Sequence, residues 1–260
     1  MTKRTTRGMV MALALLAVTA WAGAEAAEVR VLSTVGMQPA VSELFAQFER
    51  ASGHKVVVTY GLAAVLKQSF ADGRAAADVL VLTSPLVEDV AKQGKVAAGS
   101  KVAAGSKVDV ARSGVGVGVK AGAPRPDIST PEALKSAVLA AKSVGFAKEG
   151  ASGVAFARAL ERLGITEQVR AKYKDTGTKT GEALVAGDID LGASQIPELM
   201  AVPGVDVVGP LPAELQTVTI FSVGLAAESK EADAAKALIQ FLAGPAAAPL
   251  LQGQGPRRLG

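Results

Sequence analysis

The chain of 260 residues contains no cysteine, which excludes disulfides and thiolate metal sites. It contains one histidine, so a histidine-rich metal site is excluded and a Ser-His-Asp arrangement would have to use His54 as its base. His54 falls in the polar turn Ser52-Gly53-His54-Lys55, where a structural role is expected. Aromatic residues make up only 4%, few for the stacking platforms that hold sugars or nucleobases. A strong charge excess is also missing. The formal charge is +4, and Lys3, Arg4, Arg7 and Glu25 account for half of it, so neither nucleic-acid nor membrane binding is implied, although an anionic ligand is compatible. Gly114-Val115-Gly116-Val117-Gly118 has neither the spacing nor the following helix of a nucleotide loop.

What is present begins with a leader. Lys3, Arg4 and Arg7 precede an apolar run from Met9 to Trp21, and small residues follow at Ala22, Ala24, Ala26 and Ala27. This pattern predicts a signal peptide over 1–26, with cleavage after Ala26 or, alternatively, after Ala24. The run falls short of the roughly 20 residues that a membrane span requires. No lipid-bearing cysteine is available for a lipoprotein anchor. Export to the periplasm is therefore expected.

Behind the leader, Glu28 to Tyr60 reads strand, short hydroxyl-bearing loop, amphipathic helix, strand. Val29-Arg30-Val31-Leu32 is extended, Ser33-Thr34-Val35-Gly36 interrupts it, and Val41, Leu44, Phe45 and Phe48 recur at helical spacing before Val56-Val57-Val58. A loop between a strand's carboxyl end and a helix's amino end gathers unpaired backbone N–H groups, and the helix dipole favours negative charge there. Ser33 and Thr34 add hydroxyl donors. This loop is thus the first candidate anion site.

The same alternation continues. Helices are expected over 63–71, 85–92, 131–141, 152–163, 181–185 and 232–242, and strands over 56–60, 78–82, 143–147, 169–173, 189–194 and 218–226. Such order predicts an α/β protein with mainly parallel sheets flanked by helices. The right-handed crossover rule brings the loops at Ser33-Thr34, Gly61-Leu62-Ala63 and Thr83-Ser84 to one sheet edge. Val108 to Val119 reads as one long glycine-punctuated strand crossing from a first lobe to a second, and Val218 to Ala226 as the return. Two lobes are expected, 27–112 plus 220–260 and 113–219, joined by two hinge crossings around a cleft. The tandem copy of Lys95-Val96-Ala97-Ala98-Gly99-Ser100 at 101–106 is too short for a repeat fold and is read as a surface-loop duplication.

The second lobe offers a counterpart to the opening loop. Gly150-Ala151-Ser152-Gly153 joins a strand pattern to the helix pattern that starts at Val154, with Ser152 read as the N-cap and its small neighbours allowing close approach of a ligand. The order of elements, with Ala77-Asp78-Val79, Gly150-Ala151-Ser152-Gly153 and Leu191-Gly192-Ala193-Ser194, resembles the periplasmic molybdate-binding family of the type II solute-binding fold. The resemblance spans the whole chain behind the leader. In that family an oxyanion is held between lobes by backbone N–H groups and hydroxyls from successive loops. Matched by motif, the implied positions are Ser33, Ala63, Ala151, a position near Thr180, and Gln195.

Two positions depart from the pattern. The family's second-loop serine is replaced by Leu62-Ala63-Ala64, and its fifth-loop tyrosine by Gln195. Losing a hydroxyl donor to a buried dianion costs about 1.5–3 kcal/mol when nothing replaces it. The Gln195 amide can both donate and accept, which suits a small organic acid better than a compact oxyanion. The candidate ligand-binding set is therefore Ser33, Thr34, Gly61, Ala63, Ser84, Ala151, Ser152, Thr180 and Gln195. The implied function is binding of a small anion in a closing cleft, without cofactor or metal, by a monomer that serves an ABC-type inner-membrane permease.

A divergent branch of the same family includes periplasmic aconitate isomerase, which the chain also resembles. The reaction so implied moves a proton across an allylic system and needs a base beside the anion clamp. Tyr60, Lys67, Ser84, Lys148 and Glu149 lie near predicted loop edges and are the candidates for it. None is assigned as catalytic from sequence.

Overall fold

The computed structural model describes residues 26–97 and 107–252. All but the last residue of the expected leader, and all of the second KVAAGS copy, lie outside the described residues. In chain order the first half runs β1 (Glu28–Thr34), a one-turn 3₁₀ helix (Val35–Met37), α1 (Gln38–Ser52), β2 (Lys55–Gly61), α2 (Ala63–Ala71), β3 (Val79–Thr83), α3 (Ser84–Lys92), β4 (Lys107–Ser113), β5 (Val115–Lys120) and α4 (Pro131–Ala140). The second half runs β6 (Val144–Phe146), α5 (Ala151–Arg162), α6 (Thr166–Arg170), β7 (Tyr173–Asp175), α7 (Thr180–Ala186), β8 (Leu191–Gln195), α8 (Ile196–Met200), β9 (Val205–Pro210), β10 (Thr219–Leu225), α9 (Ala232–Ala243) and α10 (Ala248–Gln252).

These elements form two five-stranded sheets, ordered β2-β1-β3-β10-β4 and β7-β6-β8-β5-β9. Each sheet is mainly parallel with one antiparallel strand, β10 in the first and β5 in the second. Those two strands are the ones the chain uses on crossing between sheets. Helices cover both faces of each sheet, so all five residues of central β3 are buried, whereas edge strand β2 alternates with solvent and leaves Val57 46% exposed. In the first lobe α1 and α9 close one face with Leu44, Phe48, Leu238 and Leu242, while α2 and α3 close the other with Leu66, Val87 and Val90. The second lobe packs Leu134, Phe156 and Leu160 against one face and Leu184 and Leu199 against the other.

Local signals explain the helix limits. Pro39 opens α1, whose buried stripe is Val41, Leu44, Phe45 and Phe48, and Gly53 ends it at φ 76°, returning its N–H to the Glu49 carbonyl. Buried Asp78 fixes the start of β3. Its carboxylate accepts from the Arg30 backbone N–H at 2.9 Å, from Arg30 Nε at 3.1 Å and from Ser229 Oγ at 2.9 Å. Burial alone would raise this carboxyl, but the hydrogen bonds from Arg30 and Ser229 outweigh it and hold it below the usual range.

Three expectations are corrected. The crossing over 108–119 is two strands broken at Gly114, where the Gln216 side chain inserts: its Nε2 donates to the Val115 carbonyl and its Oε1 accepts from the Val115 N–H, both at 2.9 Å. A Cβ on Gly114 would stand 3.0 Å from Gln216 Nε2. Of the strand expected over 169–173, the first two residues end helix α6, in which only Val169 is buried, the next two form a turn, and the strand begins at Tyr173. Strand β9, with Gly209 and Pro210 and partial exposure along its length, has no counterpart among the expected elements.

Candidate functional site

A cavity of about 350 Å³ lies between the lobes, where five strand-to-helix junctions meet. The first lobe supplies Thr34, Val35 and Gly36 after β1, Leu62 and Ala63 after β2, and Ser42 on α1. The second supplies Gly150, Ala151 and Ser152 after β6, Thr180 and Gly181 after β7, and Ser194, Gln195 and Glu198 around the end of β8. The starts of α1, α2, α5 and α7 carry no side-chain cap, as is also true of α3, α6 and α9 away from the cavity, whereas α4 has its Ala133 N–H capped by Thr130 Oγ1 at 3.1 Å. Uncapped N–H groups at the cavity keep their hydrogen-bonding capacity for a ligand.

The Gly-Ala-Ser-Gly turn shows why sequence dictates this shape. Gly150 N–H donates to the Ala147 carbonyl at 3.1 Å, and a Cβ on Gly153 would stand 1.7 Å from that same carbonyl oxygen. Only glycine lets the first turn of α5 press against Ala147. The N-cap is Gly150, and Ser152 lies inside the helix, buried and not capping it, which corrects the expected N-cap role. Its hydroxyl is thereby left for the cavity that the residue lines.

Of the sequence-expected positions, Thr34, Ala63, Ala151, Ser152, Thr180 and Gln195 line the cavity, and Ser33, Gly61 and Ser84 do not. Ser33 is fully buried in β1 with its hydroxyl donating to the Thr34 carbonyl at 3.3 Å. Gly61 pairs with Thr34 in the sheet, behind Leu62. The Thr83-Ser84 junction does not join the other two: β10 pairs antiparallel with β3 as far as Thr83, and Phe221, opposite Thr83, lines the cavity instead. Ser84 accepts a hydrogen bond from Lys107, which also pairs with Glu88 and Asp109 at 2.9 Å.

The five candidate bases lie elsewhere too. Lys67 is paired with Asp89, Tyr60 Oη is 3.0 Å from Ser42 Oγ, and Lys148 and Glu149 are exposed. None lines the cavity, nor does any arginine, lysine or histidine among the described residues. His54 accepts from the Ala27 N–H at 3.2 Å, a structural contact.

Its ionisable lining is two glutamates, exposed Glu182 and part-buried Glu198. Sequence reasoning missed Glu198. The available signal was Pro197 two residues after Gln195, which marks a helix start, with a glutamate at the third helical position, the spacing of a capping box. Ser194 Oγ donates to Glu198 Oε2, and α8 packs against the 3₁₀ turn and α1 of the first lobe. Burial pushes the Glu198 carboxyl above its usual range, against the hydrogen bonds from Ser194 and the Gln195 backbone N–H, and the charge of Glu182 adds to the rise.

Gln195, at the end of β8, donates from Nε2 to Thr219 Oγ1 at the start of β10 in the other sheet, at 3.1 Å. Its Oε1 is buried with no hydrogen-bond partner, alone among buried side-chain polar atoms of the described residues. A buried acceptor without a partner is uncommon in folded proteins, and this one belongs to a residue that lines the cavity.

Two sheets sharing an interlobe cavity lined with helix starts define a solute-binding protein. The chain belongs to the bacterial extracellular solute-binding protein family, whose model matches residues 29–257. Among curated relatives it is 32% identical to the aconitate isomerase of Pseudomonas sp over 231 residues, 86% of each chain. It is 26% identical to the molybdate-binding protein ModA of Azotobacter vinelandii over 244 residues, 89% of this chain and 90% of that one. Solved structures agree on the fold. The Azotobacter vinelandii periplasmic molybdate-binding protein aligns with a TM-score of 0.72 at 17% identity, over 86% of this chain and 96% of that one. The sulfate-binding protein SubI of Mycobacterium tuberculosis aligns with a TM-score of 0.67 at 20% identity, over 86% and 84% respectively.

Hydroxyl positions can be separated experimentally. Ser152→Ala is expected to weaken binding of an anionic ligand roughly 10- to 150-fold, the equivalent of about 1.5–3 kcal/mol for a hydrogen bond to a charged group. Its unliganded melting temperature should hardly move, because the hydroxyl caps nothing. Ser33→Ala should leave affinity unchanged. Titration calorimetry with thermal melts distinguishes the two, since a lost ligand contact reduces only the ligand-induced shift.

Proposed function

We propose that this protein acts in the periplasm, after removal of its leader, by closing two lobes over a small multiply charged organic acid of the aconitate class. The lobes are taken as 27–112 plus 220–260 and 113–219, turning about the crossings near Gly114 and Gln216. The observation that carries the ligand class is the mixed lining of the cavity. Uncapped helix starts and hydroxyls offer donors to carboxylates, while the Gln195 amide and the Glu198 carboxyl add acceptor oxygens to the residues that line the cavity. A compact, fully deprotonated oxyanion needs donors on all sides, and these two groups disfavour it. Delivery to an inner-membrane permease is the transport role that fits such a protein.

Calorimetric titration with cis-aconitate, trans-aconitate, citrate, molybdate and sulfate tests this reading. Saturable binding is expected for the tricarboxylates and not for molybdate or sulfate. Tight molybdate binding with no response to any tricarboxylate would overturn it.

A second reading is favoured by a specific observation. An acidic side chain with a raised pKa lines the cavity, and the Pseudomonas relative, at 32% identity, is named as an aconitate isomerase. On this reading the same closed cleft interconverts the cis and trans isomers of its ligand without a cofactor.

A further inference from the structure

We propose that Glu198 is the proton-transfer group of an allylic isomerisation in this cavity, an inference that rests on the isomerase reading above. Moving a double bond along a tricarboxylate requires a base to remove a proton from one carbon and an acid to return one to another, roles that a single carboxyl can fill in turn. The cavity holds two ionisable side chains among the described residues, and Glu182 is solvent-exposed. Glu198 is the one partly withdrawn from solvent.

Its geometry suits the task. Ser194 occupies Oε2, and Oε1 sits where a Cβ on Gly36 would come within 3.3 Å of it, in the seam between the lobes. Gly36 therefore keeps side-chain atoms away from that oxygen on the first-lobe side, and closure brings both lobes against the same carboxylate. A glutamate whose pKa burial has raised is a stronger base than an exposed one.

The step balances without any other reagent. The Glu198 carboxylate takes a proton from the methylene carbon, and the electron pair of that C–H bond forms a new double bond to the central carbon. The former double bond's electrons move to the vinylic carbon, with the charge of the intermediate spread onto the attached carboxylate. That carbon then receives a proton from the Glu198 carboxylic acid, which regenerates the base. One C–H bond breaks, one forms, and nothing is oxidised or released. The uncapped starts of α2 and α5 are placed to stabilise charge that grows on the substrate carboxylates.

Purified protein incubated with cis-aconitate in heavy water and followed by proton NMR provides the test. The parent should form trans-aconitate until equilibrium. Glu198→Gln should slow this by about 10²- to 10⁴-fold, the usual contribution of a positioned acid–base group, while calorimetry shows cis-aconitate affinity within tenfold of the parent. Glu198→Asp, which keeps the charge but retracts it by one methylene, serves if the glutamine variant does not fold, and it too should lose most turnover with binding retained. Full turnover in a folded variant would overturn the assignment. A parent that binds cis-aconitate and returns it unchanged would overturn it as well, leaving the binding function standing. A parent that binds neither isomer would overturn both this inference and the ligand class on which it rests.

Discussion

Gly153→Ala is expected to abolish ligand binding and destabilise the fold, a larger effect than any other single methyl group should produce near the cavity. The added Cβ would lie 1.7 Å from the Ala147 carbonyl oxygen, less than half a normal contact, and the obstacle is backbone. Either α5 retreats or the β6 end moves. Overpacking of this kind costs about 3 kcal/mol or more. Retreat of α5 would also withdraw the N–H groups of its first turn and the Ser152 hydroxyl. Two hydrogen bonds to a charged ligand, at about 1.5–3 kcal/mol each, correspond to roughly 10²- to 10⁴-fold in affinity. Gly209→Ala is the control, since a Cβ there meets only Ile128 Cδ1 at 3.8 Å. That variant should stay within about 0.5 kcal/mol of the parent. Melting curves and calorimetry with cis-aconitate check both, and parental affinity in Gly153→Ala would show that α5 does not hold the ligand.

The second large effect is expected at Asp78, where nothing touches the ligand. Alanine there strands the Arg30 backbone N–H and the Ser229 hydroxyl and removes the partner of the Arg30 guanidinium. Breaking a buried pair costs about 3–5 kcal/mol, and the 40% exposure of the Arg30 side chain reduces this to about 2–3 kcal/mol. In a protein of this size the melting temperature should fall by about 4–12 °C. The pH dependence has a definite sign. A carboxyl held below its unfolded value of 3.8 contributes stability that is complete above that pH and is lost as pH falls through the folded value. The gap between parent and Asp78→Ala should therefore be widest near neutrality and narrow below pH 3.8. Glu198 has the opposite sign: its raised folded pKa costs stability as pH climbs above 4.5, so Glu198→Gln should melt higher than the parent near neutrality.

The lobes were legible because long elements have a period. The α1 stripe and the unbroken apolar run of β3 can each be read from a window of residues, and so can the hydroxyl-bearing turn behind each strand. Short elements carry no such signal. Helix α6 offers a single buried residue, and β9 reads as loop because it is half exposed and contains Gly209 and Pro210. At the site, what the sequence could not weigh was which junctions share an edge. Ser84 and Ser152 look alike in sequence, but the insertion of β10 beside β3 puts Phe221 where the Ser84 junction was expected. Glu198 reads as an ordinary charged residue of a short helix. Its environment is made by the other lobe, more than a hundred residues away in the chain, with Gly36 against its carboxylate.

Main-chain N–H groups at the uncapped starts of α2, α5 and α7 are donors at this cavity. Codon changes exchange side chains and leave peptide groups in place. The capacity to hold negative charge is therefore inherited with the fold itself, while the lining side chains are free to diverge. Glycines such as Gly153 are the exceptions, because they permit the main-chain path. Side chains at positions such as 195 and 198 line the cavity, so substitutions there change its chemistry without rebuilding the main-chain path.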